Sequence, residues 1–307
     1  MPLQKERALL IVNPKSGKQI ARKNIFNIIS LLSQRYTLST HITESADDAK
    51  ATAAQAEEFD TVIVCGGDGT LGQVVDGYPT ERKRPMIGYI PCGTANDFAA
   101  TMGIPRDIKK AAKMICGGEP LDHDVGSFNG RKFIYIASFG AFTKASYSTP
   151  QDAKNMFGSL AYIVNGVFDV GSIKGGYVKV KCGNRVIESE DACFFSAGNS
   201  TTMGGGVIKI PPDTIDLNDG RLDMLMINLP KTLPRLMEVV GKLQKSVFDD
   251  PDIFFLSGER FEIETGTPVE WTLDGEDAGF HKNVVIEAKK SAIKLVRGDL
   301  KDTDNAG

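Results

Sequence analysis

The sequence predicts an α/β N-terminal domain built on a parallel sheet, followed by an antiparallel β-sandwich or barrel. Three observations carry that expectation. Up to residue 122, apolar runs of strand length alternate with helix-compatible segments, the pattern of right-handed crossovers on a parallel sheet. Beyond it, many short strands close on Asn-Gly, Gly-Asn and Asp-Gly turns, the texture of an antiparallel domain. Three early strands run out into loops of glycine and small polar residues. In a parallel sheet those loops occupy one edge, beyond the carboxyl ends of the strands, where ligands bind. The expected boundaries are 1–122 for the first domain, 123–300 for the second and 301–307 for a polar tail.

Taken in order, Ala8 to Val12 reads as a fully buried strand ending at Asn13-Pro14-Lys15-Ser16-Gly17, where Pro14 and Gly17 mark a loop. Lys18 to Leu32 places Ile25, Ile28, Ile29 and Leu32 at helical spacing. Tyr36 to Thr43 alternates as a strand, and Ser45 is expected to cap an alanine-rich helix from Ala46 to Glu57. A third strand, Thr61 to Cys65, empties into Gly66-Gly67-Asp68-Gly69-Thr70 and a helical stretch from Leu71 to Asp76. The fourth, Met86 to Ile90, ends in Pro91-Cys92-Gly93-Thr94-Ala95-Asn96-Asp97-Phe98.

In the second half, Asp124 to Phe128 and Lys132 to Ser138 flank Asn129-Gly130, the signature of a type I′ hairpin. Tyr177 to Lys181 and Arg185 to Glu188 flank Gly183-Asn184, and Ala192 to Ala197 follows. Leu222 to Ile227, Arg260 to Glu264, Val269 to Leu273, Val284 to Ala288 and Ile293 to Val296 are further strands. Two helices interrupt them. Asn155 to Phe168 carries Phe157, Leu160, Ala161, Val164 and Phe168 on one face, and Leu233 to Val247 carries Leu236, Val239, Val240, Leu243 and Val247.

Composition narrows the function classes. A 307-residue chain, 41% hydrophobic and 24% charged, is ordinary for a soluble globular protein with a sizeable core. A net charge of −3 provides no basic field, which argues against a nucleic-acid partner. The five cysteines form no Cys-x-x-Cys pair, and the three histidines are scattered, so no zinc constellation is present. His123 and His281 read as surface or structural residues. No secretory leader and no bilayer-spanning apolar run is recognisable, and the cytosol is the compartment expected.

Chemistry concentrates in the glycine loops. Gly66, Gly67 and Gly69 tolerate unusual backbone angles and let N–H groups approach a phosphate. A lysine commonly completes such a cradle, but here the central side chain is the Asp68 carboxylate. A carboxylate beside a polyphosphate is repelled unless a cation stands between them, so the loop predicts Mg²⁺ together with phosphate. The plain alternative is an ordinary glycine turn. Gly93 to Asp97 adds a hydroxyl, an amide and a second carboxylate; helix capping by Thr94 or Asn96 explains one polar residue but not four in succession.

Gly66–Thr70 followed by Gly93–Phe98 resembles the diacylglycerol kinase catalytic domain, and more narrowly the soluble bacterial lipid kinases. Asn13–Gly17 is similar to that family's opening Asn-Pro-x-Ser-Gly, and Gly158-Ser159-Leu160-Ala161-Tyr162 to its Gly-x-Leu-Ala-Tyr helix. Gly198-Asn199, Gly204-Gly205-Gly206, Pro211-Pro212 and Asp219-Gly220-Arg221-Leu222-Asp223 follow its middle block, and Asp274-Gly275-Glu276 its late acidic triplet. The resemblance implies a nucleotide-binding α/β domain and a β-sandwich, with the active site in the interdomain cleft. It implies an ATP site comprising Asn13, Pro14, Lys15, Ser16, Gly17, Thr43, Gly66, Gly67, Asp68, Gly69, Thr70, Leu71, Gly72 and Thr94. It puts Asp68 and Asp97 in the magnesium and phosphate network, the general base at Asp274 or Glu276, and a structural magnesium at Asp216, Asp219 and the carbonyl of Arg221. The acidic positions have a plainer reading as well, since Asp274-Gly275 and Asp219-Gly220 are ordinary turn dipeptides.

The activity implied is ATP- and Mg²⁺-dependent phosphorylation of a lipid hydroxyl, with diacylglycerol the first acceptor expected. NAD kinase, which shares Gly-Gly-Asp-Gly, is the rival enzyme; sphingoid bases and phosphatidylglycerol are the rival acceptors. The family usually continues Gly-Gly-Asp-Gly-Thr with x-Asn-Glu, whereas Gly72 and Gln73 stand here, which motivates a third alternative, a catalytically weak lipid or nucleotide sensor. The partners expected are ATP and a lipid acceptor presented at the inner membrane face, reached peripherally without a transmembrane anchor. A homodimer is left open.

Overall fold

The computed structural model describes residues 5–140, 174–200 and 216–297, except 18, 46, 81, 84, 85 and 95, together with Thr202–Met203 and Ile208–Lys209. Outside the described residues lie the expected helix Asn155–Phe168 with its Gly158–Tyr162 block, Gly204–Gly206, Pro211-Pro212 and the tail 301–307. The chain divides into two compact units, Met1–Val125 with the segment from Ser291 onward, and Gly126–Lys290.

In the first unit, β1 (Glu6–Val12) pairs in parallel with β2 (Tyr36–Ile42) and β3 (Thr61–Gly66), and β3 pairs in parallel with β4 (Met86–Pro91). The order is therefore β4-β3-β1-β2. Every residue of β3 is buried, as a strand covered on both faces requires. The intervening helices are α1 (Ile20–Leu32), α2 (Asp48–Ala53), α3 (Asp68–Gly77), α4 (Asp97–Thr101) and α5 (Ile108–Gly117). Leu10, Val12, Ile28, Leu32, Ile63, Ile90 and Ile115 close one core among them.

Three local outcomes differ from the sequence reading. The helix expected from Ala46 to Glu57 is only α2 plus a single 3₁₀ turn, Ala56–Glu58. Ser45 does not cap it; instead the Asp48 carboxylate folds back to accept the Glu44 amide at 2.8 Å. Helix α5 had no counterpart in the reading, because its buried stripe of Ala111, Ala112 and Ile115 is thin among lysines. The Asp107 carboxylate, which accepts the Lys110 amide at 2.8 Å, fixes its start. The end of the chain also returns to the first unit rather than staying with the second to residue 300. Lys294 and Leu295 pair in parallel with Met86 and Ile87, and Ile293, Leu295 and Val296 are fully buried.

The second unit is antiparallel. β5 (Pro120–Phe128), which leads in from the first unit, forms a hairpin with β6 (Arg131–Phe133) across Asn129 and Gly130, both with positive φ. β7 (Ile136–Gly140), β8 (Gly176–Cys182), β9 (Arg185–Gly198), β12 (Leu222–Asn228), β13 (Ile253–Gly258), β14 (Arg260–Leu273) and β15 (Glu276–Val296) follow, with a two-stranded ribbon of β10 (Thr202–Met203) and β11 (Ile208–Lys209). β8 pairs the first halves of β9 and β14, while β7 pairs their second halves. Two long strands thus join β7 and β8 within one sheet. The sequence pattern divides β14 at Glu264/Val269, where the strand in fact continues through an irregularity in register at Gly266–Pro268. Trp271, fully buried, meets Phe128, Phe139 and Phe195 edge-on at 4.7–5.6 Å between centroids and anchors the core. Helix α6 (Leu233–Gln244) buries the expected Leu236, Val239, Val240 and Leu243. It is capped at Thr232, whose hydroxyl accepts the Arg235 amide, and ends at Gln244, short of Val247, with Ser246 beyond it in a left-handed conformation.

Candidate active site

The strands of the first unit bring the three loops to one edge. Val12 pairs with Cys65 and Gly66 with Pro91, so β1, β3 and β4 end at the same level. Because β2 lies on one side of β1 and β3 on the other, the chain reverses its direction of travel across the sheet between β1 and β3. Such a reversal opens a crevice beyond the strand ends. The loops Asn13–Gly17 and Gly66–Thr70 flank it.

Their contacts are at backbone range. Asn13 Nδ2 donates to Thr70 Oγ1 at 3.0 Å, and the Gly67 amide donates to Ser16 Oγ at 3.2 Å. A Cβ on Gly93 would lie 2.7 Å from the Gly67 Cα, and one on Gly17, at φ +53°, would lie 2.4 Å from the Cys92 carbonyl oxygen. Only glycine permits either approach. Thr43, buried at the end of β2, donates its amide to the Val12 carbonyl at 2.9 Å. Lys15 is exposed and Pro14 half-buried; the Lys15 amide donates to Asn13 Oδ1 at 3.0 Å. Leu71 and Gly72 are buried in α3 behind the loop, Gly69 is half-buried and Thr94 is exposed.

Asp68 begins α3, where the positive end of the helix dipole favours a carboxylate. Its Oδ1 accepts the Tyr89 hydroxyl at 3.1 Å, and its Oδ2 accepts the Asp97 amide at 2.8 Å. Burial, then the neighbouring Asp68 charge, push the Tyr89 phenol well above its ordinary value, so it stays protonated and donates. Burial also raises the Asp97 carboxyl, against an opposing pull from Arg106. Asn96 does not cap α4 with its side chain. It adopts a left-handed conformation (φ +53°), accepts the Gly93 amide on Oδ1 at 2.8 Å and donates from Nδ2 to the Gly93 carbonyl at 2.9 Å. That clasp holds the Gly93 turn in shape. Tyr89 and the Asn96 clasp escaped the sequence reading. The signal available for Tyr89 was a phenol in an otherwise aliphatic buried strand, which needs a polar partner.

The acidic positions of the second unit lie in turns. Asp274 and Gly275, at φ +52° and +86°, form a two-residue hairpin between β14 and β15, with Leu273 opposite Glu276. In an extended strand Asp274 and Glu276 would share a face; in this turn Asp274 is buried and Glu276 exposed. The Asp274 carboxylate accepts the amides of Ile134, Tyr135 and Ile136 at 2.9, 2.8 and 3.0 Å. This explains why Lys132 to Ser138 is not one strand, since its central amides point to a carboxylate instead of a neighbouring strand. Burial pushes the Asp274 carboxyl up to about 6, with the three amides pulling the other way. Asp216, Asp219 and Arg221 are brought together in one exposed turn. Asp216 Oδ1 accepts the Asn218 amide at 3.2 Å and Asp219 Oδ1 the Arg221 amide at 2.8 Å.

A phosphate brought to the first-unit edge would meet glycines, which leave no side chain in its way. Among the described residues no three His, Cys, Asp or Glu groups cluster into a metal cage. A hard cation there would draw on the Asp68 carboxylate, completed by phosphate oxygens and water, as magnesium does at nucleotide sites.

Comparison with known proteins shows the family. Residues 7–128 match the diacylglycerol kinase catalytic domain, and residues 137–297 match the YegS C-terminal NAD kinase beta sandwich-like domain. The chain belongs to the diacylglycerol kinase family. It is accordingly a phosphotransferase with an alcohol group as acceptor. A diacylglycerol kinase of Bacillus subtilis (strain 168) is 34% identical over 278 residues, covering 89% of this chain and 91% of that one. One of Staphylococcus aureus (strain JH9) is 32% identical over 281 residues, covering 90% and 87%. A solved diacylglycerol kinase structure from Bacillus anthracis str. Sterne superposes with a TM-score of 0.73 at 27% identity, covering 95% of this chain and 97% of that one. Among the described residues, no helix is long and apolar enough to cross a membrane.

Proposed function

We propose that this chain transfers the terminal phosphoryl group of ATP to the hydroxyl of diacylglycerol, in a magnesium-dependent reaction at a membrane surface. The observation that carries the reading is Asp68, held between the Tyr89 hydroxyl and the Asp97 amide on a glycine-lined edge. The loops Asn13–Gly17, Gly66–Thr70 and Gly93–Asp97 receive the phosphates along their glycine-lined surface at the positive end of α3, with Thr43 beside them, and Leu71 and Gly72 back the cradle. Asp68 holds magnesium, with Asp97 completing the polar edge; when bound, the ion supplies charge neutralisation for the transferring phosphoryl group. Asp216, Asp219 and the Arg221 carbonyl hold a second, structural magnesium in this reading. The acceptor hydroxyl loses its proton to a carboxylate, for which Asp274, Glu276 and Asp97 are the candidates. Burial raises the proton affinity of Asp274, to about 6, and also that of Asp97, the direction that favours accepting a proton.

The test is turnover of radiolabelled ATP with mixed micelles containing diacylglycerol, a sphingoid base or phosphatidylglycerol, and with free NAD as control. Labelled phosphatidic acid formed only from diacylglycerol supports the proposal. Labelled NADP, or label on another lipid, would replace it.

A further inference from the structure

The Asp68 carboxylate is fixed from two sides by groups that come from β4 and the loop after it. Tyr89 is fully buried in β4, and its hydroxyl lies 3.1 Å from Asp68 Oδ1 and 3.5 Å from Asn96 Oδ1. A phenol has one proton to give, and the shorter contact receives it. Asn96 Oδ1 is already served by the Gly93 amide at 2.8 Å. Each Asp68 oxygen thus accepts a hydrogen bond from the β4 side, Oδ1 from the Tyr89 hydroxyl and Oδ2 from the Asp97 amide.

We infer that Tyr89 is a positioning residue. Its hydroxyl locks the Asp68 carboxylate against the Gly93–Asp97 loop, so that the two phosphate loops are joined before any ligand arrives. The inference rests on the reading of Asp68 as the cation-binding carboxylate. A carboxylate clamped on both oxygens cannot rotate about its terminal bond, and a cation then meets a group that needs no ordering. Without the phenol Oδ1 loses this restraint, and part of the ordering cost falls on the cation.

Tyr89→Phe removes a single oxygen and keeps the ring that fills the buried space, packed beside Phe98 at 6.3 Å between centroids. The experiment measures, by calorimetry, the affinity of wild type and Tyr89→Phe for a non-hydrolysable ATP analogue with and without magnesium. The expected result is unchanged affinity without magnesium and a magnesium-dependent gain in affinity reduced about 10- to 150-fold, the span of one hydrogen bond to a charged group. In addition, the Asp97 amide should exchange with solvent faster in the unliganded variant, because its acceptor is no longer held. Equal magnesium-dependent gains, with unchanged Asp97 exchange, would overturn the role of Tyr89 while leaving the reading of Asp68 intact. No magnesium-dependent gain in the wild type would overturn the reading of Asp68, and this inference with it. A Tyr89→Phe protein that loses affinity equally with and without magnesium would show a packing role and would also overturn the inference.

Discussion

Replacing Asp274 by asparagine tests the turn that joins β14 and β15. The substitution keeps the size of the side chain and suits the left-handed conformation at φ +52°, which asparagine tolerates. It changes one acceptor oxygen into an NH₂ donor. Asp274 Oδ1 receives Tyr135 and Ile136, and Oδ2 receives Ile134, all three amides belonging to buried residues. In the variant the remaining oxygen keeps the first pair, and the Ile134 amide faces another donor. One buried unsatisfied donor costs about 1–3 kcal/mol, and loss of the charge weakens the other two bonds. A second effect depends on pH. The folded carboxyl titrates at about 6 against an ordinary 3.8, an interval worth about 3 kcal/mol. Since the folded value is the raised one, this contribution to stability is fully present below 3.8 and is lost as the pH rises through about 6. Asparagine does not titrate. The wild type's advantage should therefore be greatest near pH 4 and shrink by up to about 3 kcal/mol on approaching neutrality. Urea unfolding followed by fluorescence of Trp271, the single tryptophan, measures it across a pH series. A difference that stays flat with pH would refute the raised carboxyl, and no difference at any pH would refute the three-amide clamp.

Asp68→Asn should cut phosphoryl transfer by about 10²-fold or more with little change in melting temperature, because the half-buried loop carboxylate contributes charge rather than packing; near wild-type kcat across a magnesium titration would count against its role. Gly93→Ala should cost about 1–3 kcal/mol, since its Cβ would meet the Gly67 Cα at 2.7 Å, and should weaken nucleotide binding in calorimetry; full affinity would mean the two loops are not held in contact. Magnesium at about ten times its dissociation constant should stabilise the nucleotide-free protein by about 1.4 kcal/mol through the Asp216–Arg221 turn. In thermal melts this gain should vanish in the Asp216→Ala/Asp219→Ala double variant; its survival there would place the ion elsewhere.

Much of the first unit was legible because its signals are local. Runs such as Ala8–Val12 and Thr61–Cys65 are apolar throughout and admit little but a buried strand, and the glycine loops follow each strand directly. The Asn129-Gly130 hairpin was equally readable, because two consecutive positive-φ residues suit few other turns. By themselves, then, the residues determined the alternation of strands and helices, the position of the glycine loops and the family to which the chain belongs. Tertiary structure decided what depends on partners distant in sequence. The break in the strand expected from Lys132 to Ser138 arises from Asp274, some 140 residues further on, and no pattern within the segment signals it. The return of Ile293–Val296 to the first unit depends on the open side of β4, and Asp68 acquires its orientation from Tyr89, 21 residues away. Local propensity reports which backbone a segment prefers. Which buried donor meets which acceptor is settled only when packing removes water and leaves each polar group to find the one partner within reach.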